Sequence, residues 1–352
     1  MKILLSVARD VSRDDGTTIR AKRIFEVLNE KFDVELLGYK KLKHIPVIRF
    51  FPYSVHLARA VIRNKFDYIY CCDDHYGFLL LKIFRRLSKY IIIYEAHGIE
   101  SAEFRNMKIP GIIVWFIDRL QKFVASHSDH LVTLSKDIFD FFKSYNKNIE
   151  LIPVFLDSNL YQLNQKKRKE KKQQYNISDN VVLGLIGPFN IVFNKHFLVF
   201  LYENIERFDK RIKFMVIGEC DNRIENDRII YTGYIEDYID HLACLDGVLV
   251  PSKIATTGPL NKILEPMSLG LTVFTTPAGL VGLDHATPGK DLFVSGEKEL
   301  VDKIHESIFD NELIQRIGSN ARHTVELHYN KEVKRGKVIK IFEHNAWNDC
   351  VN

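Results

Sequence analysis

A lysine and a glutamate one helical turn apart are the strongest candidates for chemistry in this chain of 352 residues. Lys262 and Glu265 follow Gly258 and Pro259 in a segment that we expect to form a helix ending at Gly270. Residues three apart share one face of a helix, and the free amides and dipole of a helix N-terminus favour a phosphate group. The segment therefore predicts a site for the diphosphate and the ribose hydroxyls of a nucleotide.

The same segment resembles the signature of retaining GT-B glycosyltransferases, in particular family 4, which typically have Gly-x-x-x-Lys-x-Leu-Glu-Ala-Met-x-x-Gly-x-Pro-Val. The matching residues here are Gly258, Lys262, Leu264, Glu265, Met267, Gly270 and Val273. The resemblance implies that Glu265 binds the ribose of a nucleotide sugar and that Lys262 neutralises its diphosphate. It also assigns Gly258, Pro259 and Leu260 to the donor site. Segments similar to the family occur from Met1 to about Tyr329.

The resemblance implies further donor contacts in the loops of the C-terminal half. Gly187 ends an apolar segment, and Asn194 and Lys195 open the helix that we expect after it. Together with Lys262, Lys195 is the candidate cation for the charge that develops on the departing diphosphate. Glu219 and Tyr234 lie where the family builds its nucleobase pocket.

Thr257 stands eight positions before Glu265, where the family has a second glutamate that contacts the donor sugar. A threonine there could contact the sugar or cap the following helix, and both interpretations stay open. The family also commonly has an arginine near the position of Asn190, and this chain has none there.

The candidates in the N-terminal half lie in loops after apolar segments. His97 follows such a segment, and the resemblance implies that it contacts the donor sugar. Glu95 and Glu100 lie beside it and could orient an acceptor hydroxyl, with nothing in the sequence to favour either. Gly16 and Thr17, in the loop after the first apolar segment, could present backbone amides to phosphate.

We expect neither a catalytic metal nor a cofactor, and a UDP- or GDP-linked sugar as the donor substrate. The run Cys71–His75 contains several potential ligands, but adjacent residues of a strand point to opposite faces, which suits a tetrahedral site poorly. The pairs Asp14–Asp15 and Asp73–Asp74 also differ from the Asp-x-Asp motif of the other major glycosyltransferase fold.

Strand-like segments alternate with helical ones in both halves of the chain, which indicates parallel, doubly wound sheets. The expected strands are Ile3–Ala8, Val34–Leu37, Tyr68–Cys72, Tyr90–Tyr94, Leu131–Leu134, Leu151–Val154, Val181–Ile186, Phe214–Ile217, Ile229–Tyr231, Val248–Val250, Thr272–Thr276 and Leu292–Val294. The predicted fold class is α/β, with two Rossmann-like domains facing across a cleft, the GT-B arrangement.

Four segments follow from this organisation. Residues 1–164 form an acceptor-side domain, 165–178 a basic linker, 179–330 the nucleotide-sugar-binding domain, and 331–352 a final helix that the resemblance brings back to the first domain. An alternative interpretation of Gln165–Gln174 as a solvated helix leaves the boundary unchanged.

Composition and charge narrow the class of protein. A hydrophobic content of 46% with 27% charged residues is typical of a soluble globular protein, and the five unpatterned cysteines favour reduced thiols in the cytoplasm. The longest apolar runs, such as Ile109–Ile117, are too short to span a bilayer. No nucleic-acid-binding motif is recognisable, so nucleic acid is not an expected partner.

The positive charge is concentrated in the N-terminal half. Residues 1–164 have 25 lysines and arginines against 19 acidic residues, a net charge of +6, while the remainder has 25 against 26, a net charge of −1. The segment Leu42–Lys65 mixes basic and aromatic residues. It could lie on an anionic membrane at the cytoplasmic face, or it could be an ordinary helix with a preceding loop.

The resemblance thus implies a retaining glycosyltransferase, and we expect a hexosyltransferase whose acceptor is a lipid-linked or surface glycan. No enzymatic nucleophile is evident, so we expect the diphosphate to depart from the face that the acceptor attacks. Two alternatives stay open: a sugar-nucleotide epimerase of the same fold, and an inactive homologue that binds a glycan or a partner protein.

Overall fold

The computed structural model describes residues 1–11, 15–38, 50–86, 88–190, 192–253 and 258–348. Thr257, Asp14 and the first part of the basic aromatic segment, Leu42–Arg49, therefore lie outside the described residues. The chain divides into two compact units, one formed by Met1–Phe155 with Lys331–Asn352 and the other by Leu156–Asn330.

The first unit is built on a parallel sheet in which six strands are described, in the order β2-β1-β3-β4-β5-β6. The strands are β1 (Lys2–Ser6), β2 (Asp33–Leu37), β3 (Tyr68–Cys72), β4 (Ile91–Ala96), β5 (His130–Thr133) and β6 (Ile149–Leu151). Every residue of β3 is buried because helices cover both faces of the sheet, as the unbroken apolar sequence of that strand indicates.

Helices cover both faces of this sheet. They are α1 (Gly16–Asn29), α2 (Phe50–Arg63), α3 (His75–Phe84), α4 (Glu100–Asn106), α5 (Gly111–His127), α6 (Lys136–Phe142) and α14 (Lys331–Asn348). The chain moves in one direction from β1 to β2 and in the other from β2 onward. Right-handed crossovers therefore put α1 on one face and α2, α3 and α5 on the other.

The final helix, α14, belongs to the first unit. Val338, Ile341 and Phe342 are buried in the same core as Ile24 and Val27 of α1. Lys331 and Arg335 also pair with Glu30 at the end of α1, at 3.1 and 2.6 Å. Helix α14 thus packs against α1 through an apolar face and two ion pairs.

The second unit has its own parallel sheet, with the described strands in the order β12-β11-β10-β7-β8-β9. The strands are β7 (Val181–Ile186), β8 (Ile212–Ile217), β9 (Ile229–Gly233), β10 (Gly247–Val250), β11 (Thr272–Thr275) and β12 (Phe293–Val294). The helices are α7 (Gln165–Gln174), α8 (Val192–Asn204), α9 (Tyr238–Ala243), α10 (Asn261–Ser268), α11 (Pro277–Leu280), α12 (Leu300–Ser307) and α13 (Asn311–His328). The strand order reverses between β7 and β10, where doubly wound sheets bind their ligands.

The predicted α/β fold with two parallel sheets is confirmed. The sixth strand was expected at Leu151–Val154, whereas β6 ends at Leu151. Ile152 and Val154 are buried all the same, so their apolar character reflects the core rather than strand pairing.

The expected basic linker is largely helical and packs on the second unit. In α7, Arg168 and Lys172 pair with Asp246, and Lys172 does so at 2.8 Å. Lys167 lies 2.7 Å from Asp240 of α9. The lysine-rich segment thus forms a helix, which was the alternative interpretation. Several of its basic side chains form ion pairs with aspartates of the second unit and are not fully solvated.

The described part of the basic aromatic segment buries several apolar side chains that membrane binding would need on the surface. Tyr53, Leu57 and Val61 recur at helical spacing along α2, and all three are buried in the first unit. The Tyr53 hydroxyl donates to the carboxylate of Asp74. These three side chains therefore form core contacts, as in an ordinary helix. No helix in the described part of the chain combines the length and apolar character needed to cross a membrane.

Candidate functional site

Backbone hydrogen bonds join the loop after β7 to the end of β8 and the residues that follow it. The amide of Gly187 donates to the carbonyl of Ile217, and the amide of Phe189 donates to the carbonyl of Glu219, each at 2.8 Å. A Cβ on Gly187 would lie 2.7 Å from the ring of Phe189, so this tight turn requires glycine. Glu219 contributes its backbone to the loop, and its exposed carboxylate accepts from Asn190 at 3.4 Å.

Lys262 reaches this loop from the first turn of α10. Its Nζ donates to Oδ1 of Asn194 at 2.5 Å and to the carbonyl of Ile186 at 3.3 Å. Asn194 is buried and donates in turn to the carbonyl of Pro188 at 2.8 Å. Burial lowers the pKa of Lys262 to about 7. The charge of Glu265 acts in the opposite direction, but no carboxylate lies within ion-pair distance of this ammonium group among the described residues. We call Lys262 with its two hydrogen-bond acceptors the cradle of Lys262.

Glu265 lies one turn further along α10 and is 7% exposed. The hydroxyl of Tyr238, at the start of α9, donates to its Oε2 at 3.0 Å. A carboxylate is a charge-assisted acceptor for hydroxyl groups such as those of a ribose. Lys262 and Glu265 thus lie on one helix, as the sequence predicts, beside the end of β7.

The entry to α10 differs in detail from the prediction. The helix begins at Asn261, so Pro259 precedes its first turn instead of lying in it. Pro259 is buried, Leu260 is the residue that caps the helix, and Gly258 precedes both. A Cβ on Gly282 would lie 2.6 Å from the nitrogen of Pro259, so the entry loop packs closely against the backbone of a later loop.

Two of the predicted donor residues are on the surface. Lys195 is exposed and makes no hydrogen bond or ion pair within the described ranges, although it follows Asn194 directly. Tyr234 is 73% exposed. The structure therefore brings Gly187, Asn194 and Lys262 together, while the assignments of Lys195 and Tyr234 to the donor stay predictions.

In the first unit, a buried ion pair supports the loop after β4. Glu95 and Arg20 are both almost completely buried, and Nη2 of Arg20 lies 2.8 Å from Oε2 of Glu95. Arg20 also donates to the carbonyls of Ile152 and Pro153. Although burial alone would raise the pKa of Glu95, the charge of Arg20 and the hydrogen bond with His97 together hold it well below its usual range. Glu95 is fully buried, so the hydroxyl of an acceptor substrate cannot reach it. The structure therefore does not support its predicted role in orienting that hydroxyl.

Glu95 instead holds His97. Its Oε1 lies 2.7 Å from Nε2 of the ring, and the Cys72 thiol lies 3.4 Å from the same nitrogen. Burial disfavours the charged imidazole, but the hydrogen bond to Glu95 and the charges of Asp73 and Glu95 together outweigh it and raise the pKa of His97. Nδ1 of His97 has no hydrogen bond within the part of the chain that is described, and the ring is partly exposed. The ring is thereby oriented with one nitrogen available to a ligand.

Glu100 begins α4 and is partly exposed. Burial and the nearby charge of Asp73 raise its pKa to about 8, and its Oε1 lies 3.5 Å from Nδ1 of His75. A carboxyl group that keeps its proton near neutral pH can donate a hydrogen bond as well as accept one. Glu100 therefore remains the candidate of the predicted pair that a hydroxyl could reach.

Two groups of potential metal ligands occur in the described residues. Cys72, Glu95 and His97 form one, and Asp73, His75 and Glu100 form the other, each with ligand atoms within 4.8 Å of one another. In the first group the guanidinium of Arg20 already neutralises Glu95, which suits a cation poorly. The absence of a catalytic metal stays a prediction.

Gly16 and Thr17 occupy the first turn of α1, a helix of 14 residues. Asp15 caps this helix by accepting from the amide of Thr18 at 2.9 Å. The cap brings a carboxylate to the helix end that was predicted to bind phosphate. That prediction stays open, because a capping carboxylate and a phosphate favour the same positive helix end.

The sequence interpretation missed Arg20 and Tyr238. Arg20 precedes Ile24 and Val27 at helical spacing, so an arginine within an apolar stripe was the available signal of a buried charge that needs an acid. Nothing in the spacing around Tyr238 indicates that its hydroxyl lies beside Glu265.

Comparisons with known proteins find similar sequences among glycosyltransferases. Residues 180–310 match the family model described as glycosyl transferases group 1. Over 196 residues the chain is 26% identical to the capsular polysaccharide biosynthesis glycosyltransferase CapM of Staphylococcus aureus, covering 49% of this chain and 48% of CapM. The chain thus spans about half the length of this curated relative.

Two solved structures share the fold across nearly the whole chain. The HepE protein of Anabaena, in complex with UDP and glucose, has a TM-score of 0.78 at 16% identity, covering 98% of this chain and all of that one. Sucrose-phosphate synthase of Thermosynechococcus elongatus has a TM-score of 0.81 at 14% identity, with 99% and 100% coverage. The resemblance to GT-B glycosyltransferases is confirmed, while membership of family 4 stays a prediction.

Proposed function

We propose that the protein is a retaining glycosyltransferase that moves a sugar from a nucleoside diphosphate sugar to a hydroxyl acceptor. The observation that carries this proposal is the cradle of Lys262. Its ammonium group is held by Asn194 and the end of β7, one helical turn from the carboxylate of Glu265. A cation for a diphosphate and an acceptor for ribose hydroxyls thus occur together within the segment that matches the family model.

In the proposed reaction the bond between the sugar C1 and the diphosphate oxygen breaks, and negative charge develops on that oxygen. Lys262 stabilises this charge from a partly desolvated position, where an electrostatic interaction is stronger than in water. The acceptor oxygen then bonds to C1 on the same face, and its proton passes to the departing phosphate. The side chains bind the donor, orient the acceptor and neutralise the departing diphosphate. None of them forms a covalent intermediate with the sugar.

His97 is the proposed contact of the first unit with the donor sugar. The carboxylate of Glu95 fixes its ring at 2.7 Å, so Nδ1 is presented in one orientation. Glu100, whose pKa is raised to about 8, is the proposed hydrogen-bond partner of the acceptor hydroxyl. Preorganised groups of this kind lower the barrier because they do not reorient during the reaction.

For the acceptor we propose a lipid-linked or surface glycan. The relative CapM is named for capsular polysaccharide biosynthesis, and the first half of this chain carries the excess of positive charge. Both support a reaction at the cytoplasmic face of an anionic membrane.

A panel of nucleotide sugars tests the proposal. UDP-sugars come first because HepE binds UDP and glucose, and GDP-sugars follow. Release of the nucleotide is measured with and without membrane lipid extracts as acceptors, in EDTA and in added magnesium. We expect release that depends on one donor, on acceptor and on Lys262, and that persists in EDTA.

The other outcomes separate the alternatives. Interconversion of the sugar without acceptor would indicate an epimerase, and donor binding without any turnover would indicate an inactive homologue. Activity that disappears in EDTA and returns with a divalent cation would contradict the metal-independent mechanism.

A further inference from the structure

The solvent-facing side of α5 is unusually apolar. Ile112, Trp115 and Phe116 are 72%, 55% and 59% exposed, and Phe123 continues the same side two turns later. The opposite side, which includes Val124, packs into the first unit. A helix on the surface of a globular protein normally turns polar residues outward. This helix therefore presents a second apolar face, and its aromatic residues are in contact with solvent.

Helix α3 extends this surface. Tyr76, Leu79 and Ile83 recur at helical spacing on its exposed side, and Ile83 is 64% exposed. The two helices lie on the same face of the sheet, and Nζ of Lys82 joins them by donating to the carbonyl of His127 at 3.1 Å. We call the exposed side of both helices the α3–α5 surface; it comprises Tyr76, Leu79, Ile83, Ile112, Ile113, Trp115, Phe116 and Phe123.

Basic residues accompany the α3–α5 surface. Arg86 follows the exposed side of α3, and Arg119 lies within that of α5, with its guanidinium 5.5 Å from the ring of Trp115. Residues 75–127 contain eight lysines and arginines against four acidic residues. One of those four, Glu95, is buried in its pair with Arg20. The segment that contains both helices thus has a net charge of +4.

We propose that the α3–α5 surface docks the protein on an anionic phospholipid bilayer. Exposed apolar patches on monomers mark interaction sites. Tryptophan is typical of the membrane interface, and each lysine or arginine near an anionic bilayer strengthens binding. This proposal deepens the membrane part of the proposed function and assigns it to helices other than α2, in which Tyr53, Leu57 and Val61 face the core.

Charge also distinguishes a bilayer from a second copy of this chain. A symmetric contact would bring Arg86 and Arg119 of each copy towards the same basic region of the other, with like charges opposed. An anionic bilayer instead provides the opposite charge over the whole surface, and its headgroup region accepts the aromatic side chains.

Tryptophan fluorescence tests the location directly. The chain has two tryptophans, Trp115 and Trp347, so the Trp347→Phe variant reports on Trp115 alone. With phosphatidylcholine vesicles containing phosphatidylglycerol, we expect its emission to shift to shorter wavelength and to be quenched by brominated acyl chains. Pure phosphatidylcholine vesicles should give little shift, and added salt should reverse it because exposed charges are screened.

Co-sedimentation with the same vesicles provides the matched comparison. Serine at both Trp115 and Phe116 should lower the partition coefficient by at least about ten-fold, and Arg119→Gln by about five-fold. The control replaces Leu160 and Leu327, which are 64% and 51% exposed in the second unit, by serine, and it should bind as the parent does.

Three results would overturn the proposal. Vesicle binding with an unchanged Trp115 emission would place the contact elsewhere, and equal loss in the control variant would show a non-specific effect. Concentration-dependent dimerisation that requires Trp115, without vesicle binding, would identify a second copy as the occupant. Vesicle binding needs no donor, so none of these outcomes depends on glycosyl transfer.

Discussion

The cluster around Glu95 and the cluster around Lys262 differ in how their charges are neutralised. In the first unit, the charges of Arg20 and Glu95 neutralise each other in a fully buried pair, and the pair in turn fixes His97. In the second unit, Lys262 is held by an amide oxygen and a carbonyl, and no ion pair to it is found where the chain is described.

This difference indicates which cluster is prepared for an anionic ligand. A buried ion pair that is complete without a ligand gains nothing from an added anion, whereas a desolvated lysine that lacks a carboxylate partner gains both charge compensation and its ordinary pKa. We therefore assign nucleotide binding to the cluster of Lys262 and Glu265, and positioning to the cluster of Arg20 and Glu95.

The largest expected effect is on the stability of the first unit. Arg20→Ala leaves Glu95 buried without its partner, which should lower the free energy of unfolding by about 3–5 kcal/mol. Both tryptophans belong to the first unit, so urea unfolding followed by tryptophan emission reports on it. Arg23→Ala, on the same helix, removes a less buried arginine that donates to the carbonyl of Phe155 and should cost far less. Equal losses in the two variants would contradict the importance of the buried pair.

A smaller effect is expected on donor binding in the second unit. Glu265→Gln removes the charge that accepts the ribose hydroxyls and should weaken donor affinity by roughly 1.5–3 kcal/mol. Glu312→Gln changes an exposed glutamate of the same unit and should leave affinity unchanged. Calorimetric titration with the active donor measures both, and unchanged affinity in the Glu265 variant would remove it from the site.

The pH dependence of donor affinity sharpens the assignment of Lys262. Its pKa is lowered to about 7, so the ammonium form is present below that pH and is lost as the pH rises. Donor affinity should be highest below about pH 7 and fall above it, by at most about ten-fold per pH unit. Lys262→Arg stays charged and should flatten this slope, whatever its absolute affinity. A parent profile that is flat from pH 6 to pH 9 would show that Lys262 does not bind the diphosphate, and Lys195→Gln would then be the next variant to titrate.

Much of the fold could be predicted from the sequence because parallel strands buried on both faces are continuous apolar segments, as in Tyr68–Cys72 and Val181–Ile186. The exceptions have local causes. Apolar residues after Leu151 are buried in the core outside a strand. The lysine-rich α7 has no apolar residue that could show a helical period. Its pairing with Asp246 and Asp240 comes from tertiary structure, which no local pattern contains.

The candidate site was predictable where one helix holds it and less so where separate elements meet. Lys262 and Glu265 were placed by spacing within a single helix. The sequence placed Glu95 beside His97, but the burial of Glu95 depends on Arg20, 75 residues away. Tyr238 reaches Glu265 across 27 residues. Contacts between such distant residues depend on the order of the strands. The sequence therefore identified the residues of the loop after β4 but not which of them a ligand could reach.

The most direct test compares His97 and Lys262 in titrations with the bare nucleoside diphosphate and in turnover of the full donor. His97→Ala should bind the bare nucleotide as the parent does and lose about ten-fold or more in turnover, since its proposed contact is with the sugar. Lys262→Gln should lose nucleotide affinity and turnover together, with the first unit equally stable in both. The opposite pattern, with nucleotide affinity lost on replacing His97 and kept on replacing Lys262, would contradict the division of roles between the two clusters.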